Sequence, residues 1–283
     1  MVAAVEPSES QPFTLAALDG VPLGARYWTP RGKPRGGVLI ANAMGVPQTF
    51  YGKLATWLGE HGFHVVTFDY RGTGASGRAK DFEIDILGWA QLDATAALRA
   101  LQDRAGTLPL TWIGHSLGGQ IVPFVPDHRE LAKIITIATG SGYWRENSPP
   151  LKSKAWLLWY VVAPIATSIG YFPGKRLHMV GDLPAGVMKQ WRRWCLDPEY
   201  AAGAEPSALS AFAKVTTPLT SISFSDDEMM SAENTRSLHA CYANAQPVMK
   251  RFTPTELGVD GIGHFGFFRQ PALWPRLLSY ELA

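Results

Sequence analysis

Cysteine is scarce in this chain of 283 residues, which contains only Cys195 and Cys241. Two cysteines leave room for at most one disulfide bridge, and they favour a reducing compartment, here expected to be the cytoplasm. An excess of one charge is also missing, because 26 Lys and Arg against 24 Asp and Glu leave a formal net charge of +2. So small an excess indicates neither a nucleic-acid partner nor an anionic membrane partner.

The N-terminus lacks the features of an export signal. Residues 1–11 carry Glu6 and Glu9 and contain no apolar core, so we expect a short frayed tail and no signal peptide. The length allows one large domain or two small ones. A composition of 46% hydrophobic and 18% charged residues is typical of a globular enzyme.

One short stretch combines an apolar run, a sharp turn and a second apolar segment. Residues 108–113 predict a buried strand, residues 117–125 predict a helix, and Gly-x-Ser-x-Gly lies between them. This context is that of a nucleophile elbow, which holds a serine in a strained backbone at the top of a sheet. The sequence therefore predicts Ser116 as a nucleophile; the alternative is a plain glycine-rich junction. Gly114 and Gly118 are required because a Cβ at either position would collide with neighbouring backbone.

A serine nucleophile needs a base, and the base needs a carboxylate that orients it. His264 lies in a glycine-rich loop before the last helix, where its ring has room to reach the serine. The sequence predicts His264 as the base, and the alternative is a loop histidine among aromatic residues. Three adjacent candidates for the acid, Asp226, Asp227 and Glu228, follow the predicted strand at 219–224, and all of them qualify by type.

Buried strands alternate with helical patterns along most of the chain, which predicts a mostly parallel sheet with helices on both faces. The alternation stops after about residue 140 and resumes with a strand near Pro218. An insertion at this place predicts a cap or lid over the active site. We therefore expect a core domain formed by residues 1–140 and 207–283, and a cap formed by residues 141–206.

The predicted cap is rich in aromatic residues and contains an uncharged stretch at 155–174. That stretch has three interpretations: an apolar lid, a dimer-forming face or a transmembrane helix. Pro164 and Gly170 argue against the transmembrane helix. If the stretch is a lid, Trp156 and Trp159 are candidate substrate-binding residues.

The chain resembles the α/β-hydrolases over most of its length. The resemblance rests on Asp69-Tyr70-Arg71-Gly72-Thr73-Gly74-Ala75-Ser76, Gly114-His115-Ser116-Leu117-Gly118-Gly119, Ser225-Asp226-Asp227-Glu228 and Gly263-His264-Phe265-Gly266. It implies an α/β-hydrolase fold with an inserted helical cap, in which Asp69 and Arg71 tie neighbouring loops together. The end of the chain also resembles a bacterial group of predicted hydrolases ending in Gly-His-Phe-Gly-Phe-Phe.

The resemblance also implies which of the three acidic residues orients the base. In similar hydrolases the acid lies four residues before the proline that opens the next helix. Ser231 takes the place of that proline here, which selects Asp227 and leaves Asp226 as the alternative.

The resemblance further implies two N–H groups that stabilise the oxyanion. One belongs to Leu117, the residue after the nucleophile. The other comes from the loop after the first buried strand. Alignment on Tyr51, which matches a frequent tyrosine of the family, selects Met44, with Ala43 next.

The resulting function is a serine hydrolase that cleaves a carboxylic ester of an uncharged, apolar substrate through an acyl-enzyme. We expect a small-molecule ester as partner, no nucleic acid, no stable membrane span, no metal and no organic cofactor; a homodimer through the cap is possible. Thioesterase, amidase or acyltransferase activity with the same triad remains an alternative. A non-catalytic ligand-binding protein on the same scaffold is a further one.

Overall fold

Ten strands and twelve α-helices follow one another in a computed structural model that describes residues 10–283, apart from the side chains of residues 149, 150 and 153. The strands are β1 Ser10–Ala16, β2 Pro22–Trp28, β3 Gly36–Ala41, β4 Phe63–Phe68, β5 Leu110–His115, β6 Leu131–Ile137, β7 Tyr171–Phe172, β8 Leu183–Pro184, β9 Leu219–Phe224 and β10 Val248–Phe252. The α-helices are α1 Gly52–Glu60, α2 Ile86–Gly88, α3 Thr95–Ala105, α4 Leu117–Gln120, α5 Pro149–Leu157, α6 Ala163–Thr167, α7 Ala185–Leu196, α8 Ala201–Ala204, α9 Ala208–Lys214, α10 Ala232–Ala240, α11 Gly266–Arg269 and α12 Leu273–Leu278. Residues 1–9 of the predicted N-terminal tail lie outside the described residues, whereas its last two residues, Ser10 and Gln11, begin β1 and are therefore not part of a frayed tail.

Eight of the strands form one sheet in the order β1-β2-β4-β3-β5-β6-β9-β10. The β1–β2 and β2–β4 pairs are antiparallel, and every other pair in this sheet is parallel. The mostly parallel sheet predicted from the sequence is confirmed. Its parallel strands place their carboxyl ends at one edge, so the loops after β3, β5, β9 and β10 meet there.

Side chains of the central strands alternate between two apolar layers. In β3, Val38 and Ile40 pack into one layer, whereas Leu39 and Ala41 pack into the other. Both faces of this strand are therefore buried, as a parallel sheet covered by helices requires.

Two buried charged residues tie loops at this edge of the sheet. Arg71 donates to Asp93 Oδ1 at 2.6 Å and to Asp19 Oδ2 at 2.6 Å. Asp69 accepts the N–H groups of Gln48 at 2.7 Å and Ala75 at 2.9 Å. The predicted linking of loops by Asp69 and Arg71 is confirmed.

The insertion between β6 and β9 contains helices α5 to α9 and the two-stranded pair β7–β8. A π-helical turn at Leu158–Val162 joins α5 to α6, and the helix ends at Thr167. Among residues 10–283, no helix is both long enough and apolar enough to cross a bilayer. Buried residues of the insertion, such as Trp159 and Trp194, belong to the same apolar cluster as Leu39 of the sheet.

Candidate active site

The sharp turn after β5 holds Ser116 in a left-handed backbone conformation, with φ of 50°. The Ser116 N–H donates to the Ile137 carbonyl of β6 at 3.1 Å, which fixes the turn against the sheet. A Cβ on Gly114 would lie 2.5 Å from Gly119 N, and one on Gly118 would lie 2.1 Å from Ala41 O. The predicted strand, turn and helix, and the need for glycine at both positions, are confirmed. The helix itself is shorter than predicted, because the α-helical turn ends at Gln120 and a 3₁₀ turn containing Pro123 follows it.

The imidazole of His264 is 1% exposed and faces a buried carboxylate. His264 Nδ1 donates to Asp227 Oδ2 at 2.9 Å and lies 3.1 Å from Oδ1. A carboxylate on Nδ1 fixes the tautomer that leaves the Nε2 lone pair free to accept a proton. Ser116 and His264 line the same cavity, but the described residues contain no hydrogen bond between their side chains. Such bonds are often long before substrate binds.

Each of the three consecutive acidic residues contacts a different part of the His264 loop. Asp226 Oδ2 accepts the N–H groups of Ile262 at 2.7 Å and Gly263 at 3.1 Å. Glu228 Oε2 accepts the backbone N–H of His264 at 3.0 Å, whereas Asp227 binds the ring. The structure thus brings Asp227, and not the alternative Asp226, to the imidazole.

Two residues with unpaired backbone N–H groups line the same cavity as Ser116. Met44 and Leu117 both line the cavity, and the described residues contain no protein acceptor for either N–H. The alternative donor, Ala43 N–H, is already bound to the Tyr51 hydroxyl at 2.9 Å. This geometry favours Met44 over Ala43 as the second oxyanion donor.

The cavity over Ser116 has a volume of about 450 Å³ and is enclosed in part by the insertion. The insertion contributes Gly142, Asn147, Leu151, Ala155, Leu158, Trp159, His178, Met179, Val180, Gly181, Trp191 and Cys195. Most of these side chains are apolar, and none of the described lining residues is acidic. Cys195 in this wall and Cys241 are both free thiols, so the possible bridge is not formed.

The two tryptophans predicted to bind substrate lie in different places. Trp159 lines the cavity and is 3% exposed, whereas Trp156 is 52% exposed and does not line it. The buried side of this helix is formed by residues four positions apart, which are Ala155, Trp159 and Ala163. Because the sequence of this stretch is uncharged and has no polar face, it could not indicate which of the two tryptophans is buried in the cavity wall.

The sequence also gave no indication of a second buried histidine beside the site. His115, the residue before Ser116, contacts Tyr51 on one side and the His264 carbonyl on the other. These three residues are far apart in the chain, and no spacing rule relates them. Only the side-chain type of His115 within the elbow motif could have drawn attention to it.

Comparison with protein families identifies a match over more than half of the chain. A family model described as serine aminopeptidase S33 matches residues 32–180, which include Ser116 but neither Asp227 nor His264. A monoacylglycerol lipase of Mycolicibacterium smegmatis is 33% identical over 109 residues. That alignment covers 38% of this chain and 39% of the relative, so it spans well under two thirds of the relative's length.

Comparison with solved structures shows the α/β-hydrolase fold. A soluble variant of monoglyceride lipase from Saccharomyces cerevisiae, in complex with a substrate analog, aligns with a TM-score of 0.64 at 17% identity. The alignment covers 89% of this chain and 88% of the yeast protein. A thermostable carboxyl esterase from Bacillus coagulans, in complex with glycerol, aligns with a TM-score of 0.58 at 17% identity, over 86% of this chain and 89% of its own. The predicted α/β-hydrolase fold is confirmed.

Proposed function

The chain belongs to the α/β-hydrolase family described as serine aminopeptidase S33, and we propose that within this superfamily of serine hydrolases it is an ester hydrolase. The substrate is a small carboxylic ester with an uncharged, apolar acyl group, cleaved through an acyl-enzyme. The observation that carries the proposal is an apolar cavity containing a strained serine and a histidine paired with a carboxylate. The lipase and esterase names of the aligned proteins support it.

Ser116 is the proposed nucleophile. Its hydroxyl oxygen attacks the ester carbonyl carbon while His264 Nε2 takes the hydroxyl proton. The carbonyl oxygen becomes an oxyanion, for which the N–H groups of Met44 and Leu117 are the proposed donors. Collapse of this intermediate expels the alcohol, which receives the proton from His264, and leaves the acyl group on Ser116. A water molecule then repeats the sequence, so the carboxylic acid leaves and the serine is regenerated.

Asp227 is the proposed orienting acid. Its carboxylate accepts the Nδ1–H of His264 and stabilises the imidazolium that forms when the ring takes the serine proton. The same carboxylate accepts the backbone N–H groups of Met229 and Met230, both at 2.8 Å through Oδ1. These bonds restrain the carboxylate beside the imidazole, without any contribution from the substrate.

The polarity of the cavity supports an apolar acyl group. The buried amide among the lining residues, Gln120, is already paired, since it donates to the Gly140 carbonyl at 2.7 Å and accepts from the Tyr200 hydroxyl at 2.9 Å. A polar group placed against Gln120 would therefore lose its bonds to water without replacement, which is costly. An alkyl chain instead gains roughly 0.8 kcal/mol for each buried methylene.

Residues 141–206 are proposed as the cap, and 1–140 with 207–283 as the core, because the insertion supplies one wall of the cavity. Its apolar residues join the apolar cluster of the core, so the cap is packed onto the sheet domain. Ester substrate reaching Ser116 would contact both parts at once.

The family description names an aminopeptidase, but the cavity does not favour that activity. An aminopeptidase must bind the free ammonium group of its substrate, and a buried cation is costly unless a carboxylate pairs with it. No acidic side chain is found among the described residues that line this cavity. The ester proposal needs no such group.

Hydrolysis of matched substrates tests the proposal. We expect kcat/KM on 4-nitrophenyl esters to rise from acetate to decanoate by up to about fourfold per methylene until the cavity is filled. A decanoyl monoglyceride should be cleaved as well, and an aminoacyl anilide with a free amino group should not. The Ser116→Ala variant gives the background rate for every substrate.

Three outcomes would contradict or redirect the proposal. A preference for the aminoacyl anilide would favour a peptidase. Faster cleavage of the decanoyl thioester than of the matched oxygen ester, after correction for intrinsic reactivity, would favour a thioesterase. Transfer of the decanoyl group to an added alcohol in preference to water would favour an acyltransferase.

A further inference from the structure

A second histidine lies buried beside the proposed triad and has no role in the mechanism described above. His115 is the last residue of β5 and is fully buried. Its Nδ1 lies 2.8 Å from the Tyr51 hydroxyl, and its Nε2 lies 3.0 Å from the His264 carbonyl oxygen. His115 does not line the cavity, so it does not contact substrate there.

The partners of the His115 ring determine which nitrogen carries the proton. A carbonyl oxygen can only accept, so Nε2 must donate its N–H to the His264 carbonyl. Nδ1 then accepts from the Tyr51 hydroxyl, whose oxygen in turn accepts the Ala43 N–H at 2.9 Å. Each of the three donors in this series, Ala43, Tyr51 and His115, therefore has one acceptor, and the series ends at the His264 carbonyl.

The neutral form of His115 is favoured by its surroundings. Burial, and then the positive charge of protonated His264, hold the pKa of His115 well below its usual range. Burial also raises the pKa of the Tyr51 hydroxyl, which therefore keeps its proton as a donor. The two histidine rings are 5.1 Å apart, so a neutral His115 adds no repulsion when His264 becomes an imidazolium.

His115 completes a clamp on the backbone of the base. The acidic residues on the other side hold N–H groups of this loop, with Glu228 accepting the His264 N–H at 3.0 Å. His115 holds the carbonyl of the same residue. Aromatic rings restrain the clamp, since the His115 ring lies 4.5 Å from that of Phe268 and 5.6 Å from that of Phe265.

The same series of bonds reaches the loop that carries the proposed oxyanion donor. Tyr51 accepts the Ala43 N–H, whereas the next N–H, that of Met44, belongs to a residue lining the cavity and has no protein acceptor among the described residues. Ser116 directly follows His115 in the chain. One buried ring thus joins the oxyanion loop, the nucleophile turn and the base.

We propose that His115 is a positioning residue, which as a neutral Nε2–H tautomer held by Tyr51 sets the place of the His264 base relative to Ser116 and the oxyanion loop. The inference rests on the proposed hydrolase function, because the positions that it sets are those of the acyl-transfer site. It predicts an effect on turnover and none on substrate affinity.

Two isosteric substitutions separate the roles of the two ring nitrogens. Glutamine places an amide N–H near the position of Nε2, whereas asparagine places its amide near the position of Nδ1. We expect His115→Gln to keep kcat within about threefold of the native value, because the bond to the His264 carbonyl is retained. His115→Asn should lower kcat by about 10- to 100-fold, as a small misplacement of a catalytic group does, with KM unchanged.

Removal of the Tyr51 hydroxyl tests the rest of the series. Tyr51→Phe should also lower kcat, because it frees the Ala43 N–H and leaves Nδ1 of His115 without its donor. Since both changes act through one series of bonds, the double variant with His115→Asn should lose less than the product of the two single losses. Equal kcat in the Asn and Gln variants, or losses that multiply in the double variant, would overturn the proposal.

A measurement that does not depend on activity separates this proposal from the proposed function. NMR spectra of the protein with ¹⁵N-labelled histidine report the protonation of each ring nitrogen. The His115 resonances are identified as those that are missing from the spectrum of His115→Gln. At pH 6 they should show a neutral ring protonated at Nε2. A ring protonated at Nδ1, or at both nitrogens, would overturn the positioning role. Absence of hydrolysis in the native protein, with the Nε2–H tautomer present, would instead contradict the ester hydrolase.

Discussion

Three adjacent carboxylates after β9 have three different contacts, although they are the same type of side chain. Asp226 and Glu228 bind backbone N–H groups of the His264 loop, and Asp227 binds its ring. The sequence could place all three after the correct strand, because strand ends and loop composition are local properties. It could not show which carboxylate binds the ring and which bind backbone N–H groups. That depends on the direction of each side chain relative to the His264 loop, whose contacting residues lie 36 to 37 positions later in the chain.

Replacement of an aspartate by asparagine, which exchanges one carboxylate oxygen for an amide nitrogen, tests the assignment of the orienting acid. Asp227→Asn should lower kcat by about 10⁴-fold with little change in KM, because the amide would favour the wrong tautomer of His264. Asp226→Asn is the matched control, since it removes one charge from the adjacent residue and leaves the ring contact intact. Steady-state kinetics on one ester compares the two variants. A larger loss in Asp226→Asn would move the acid to that residue.

At the scale of elements, the helix that covers the cavity has two different sides. Trp159 and Ala155 face the cavity, whereas Trp156, Tyr160 and Ile165 are exposed on the outside. The π-helical turn at Leu158–Val162 lies within this stretch. Because the whole run is uncharged, its sequence has no polar face that could indicate which side is buried. The predicted homodimer through this surface stays a prediction.

Replacement of each tryptophan by alanine tests the role of the cap helix. Trp159→Ala should raise KM for a decanoate ester much more than for an acetate ester, because only the long chain reaches the lost apolar surface, worth about 25 cal/mol per Å². Trp156→Ala is the matched control and should leave both KM values unchanged. Equal effects of Trp159→Ala on short and long esters would contradict the substrate role. A change of elution volume in gel filtration for Trp156→Ala would instead favour the dimer.

The contact between α10 and β6 predicts how stability depends on pH. His239 donates from Nδ1 to the Thr235 carbonyl at 2.7 Å and accepts from the Thr136 hydroxyl at Nε2. Burial lowers the pKa of His239 to about 4, against about 6.5 in the unfolded chain. Between these values the unfolded state binds one proton more than the folded state, so stability falls as the pH falls.

Chemical denaturation at several pH values measures this contribution. His239 should account for a loss on the order of 3 kcal/mol in the free energy of unfolding between pH 7 and pH 4. His239→Gln removes the titrating group, so its free energy of unfolding should depend less steeply on pH in that range, even if the variant is less stable at pH 7. An unchanged slope would show that His239 is not kept neutral by the fold.

At the scale of the whole molecule, the sheet could be predicted from the sequence, but the contacts between loops that are far apart in the chain could not. Apolar runs and helical periods are local, so they indicated the alternating strands, the elbow and the position of the insertion. Contacts such as that of His115 with Tyr51, 64 residues earlier, and with His264, 149 residues later, follow only from the strand order. Parallel strands bring their carboxyl ends to one edge, and that edge gathers the candidate site.

Covalent labelling of Ser116 tests the central claim most directly. A fluorophosphonate should add to the native protein once, and mass spectrometry of the digested adduct should find the label on the peptide that contains Ser116. Ser116→Ala should remain unlabelled under the same conditions, and an exposed serine such as Ser279, replaced by alanine, is the control that should label normally. Labelling that survives in Ser116→Ala, or that lies on another residue, would contradict the account.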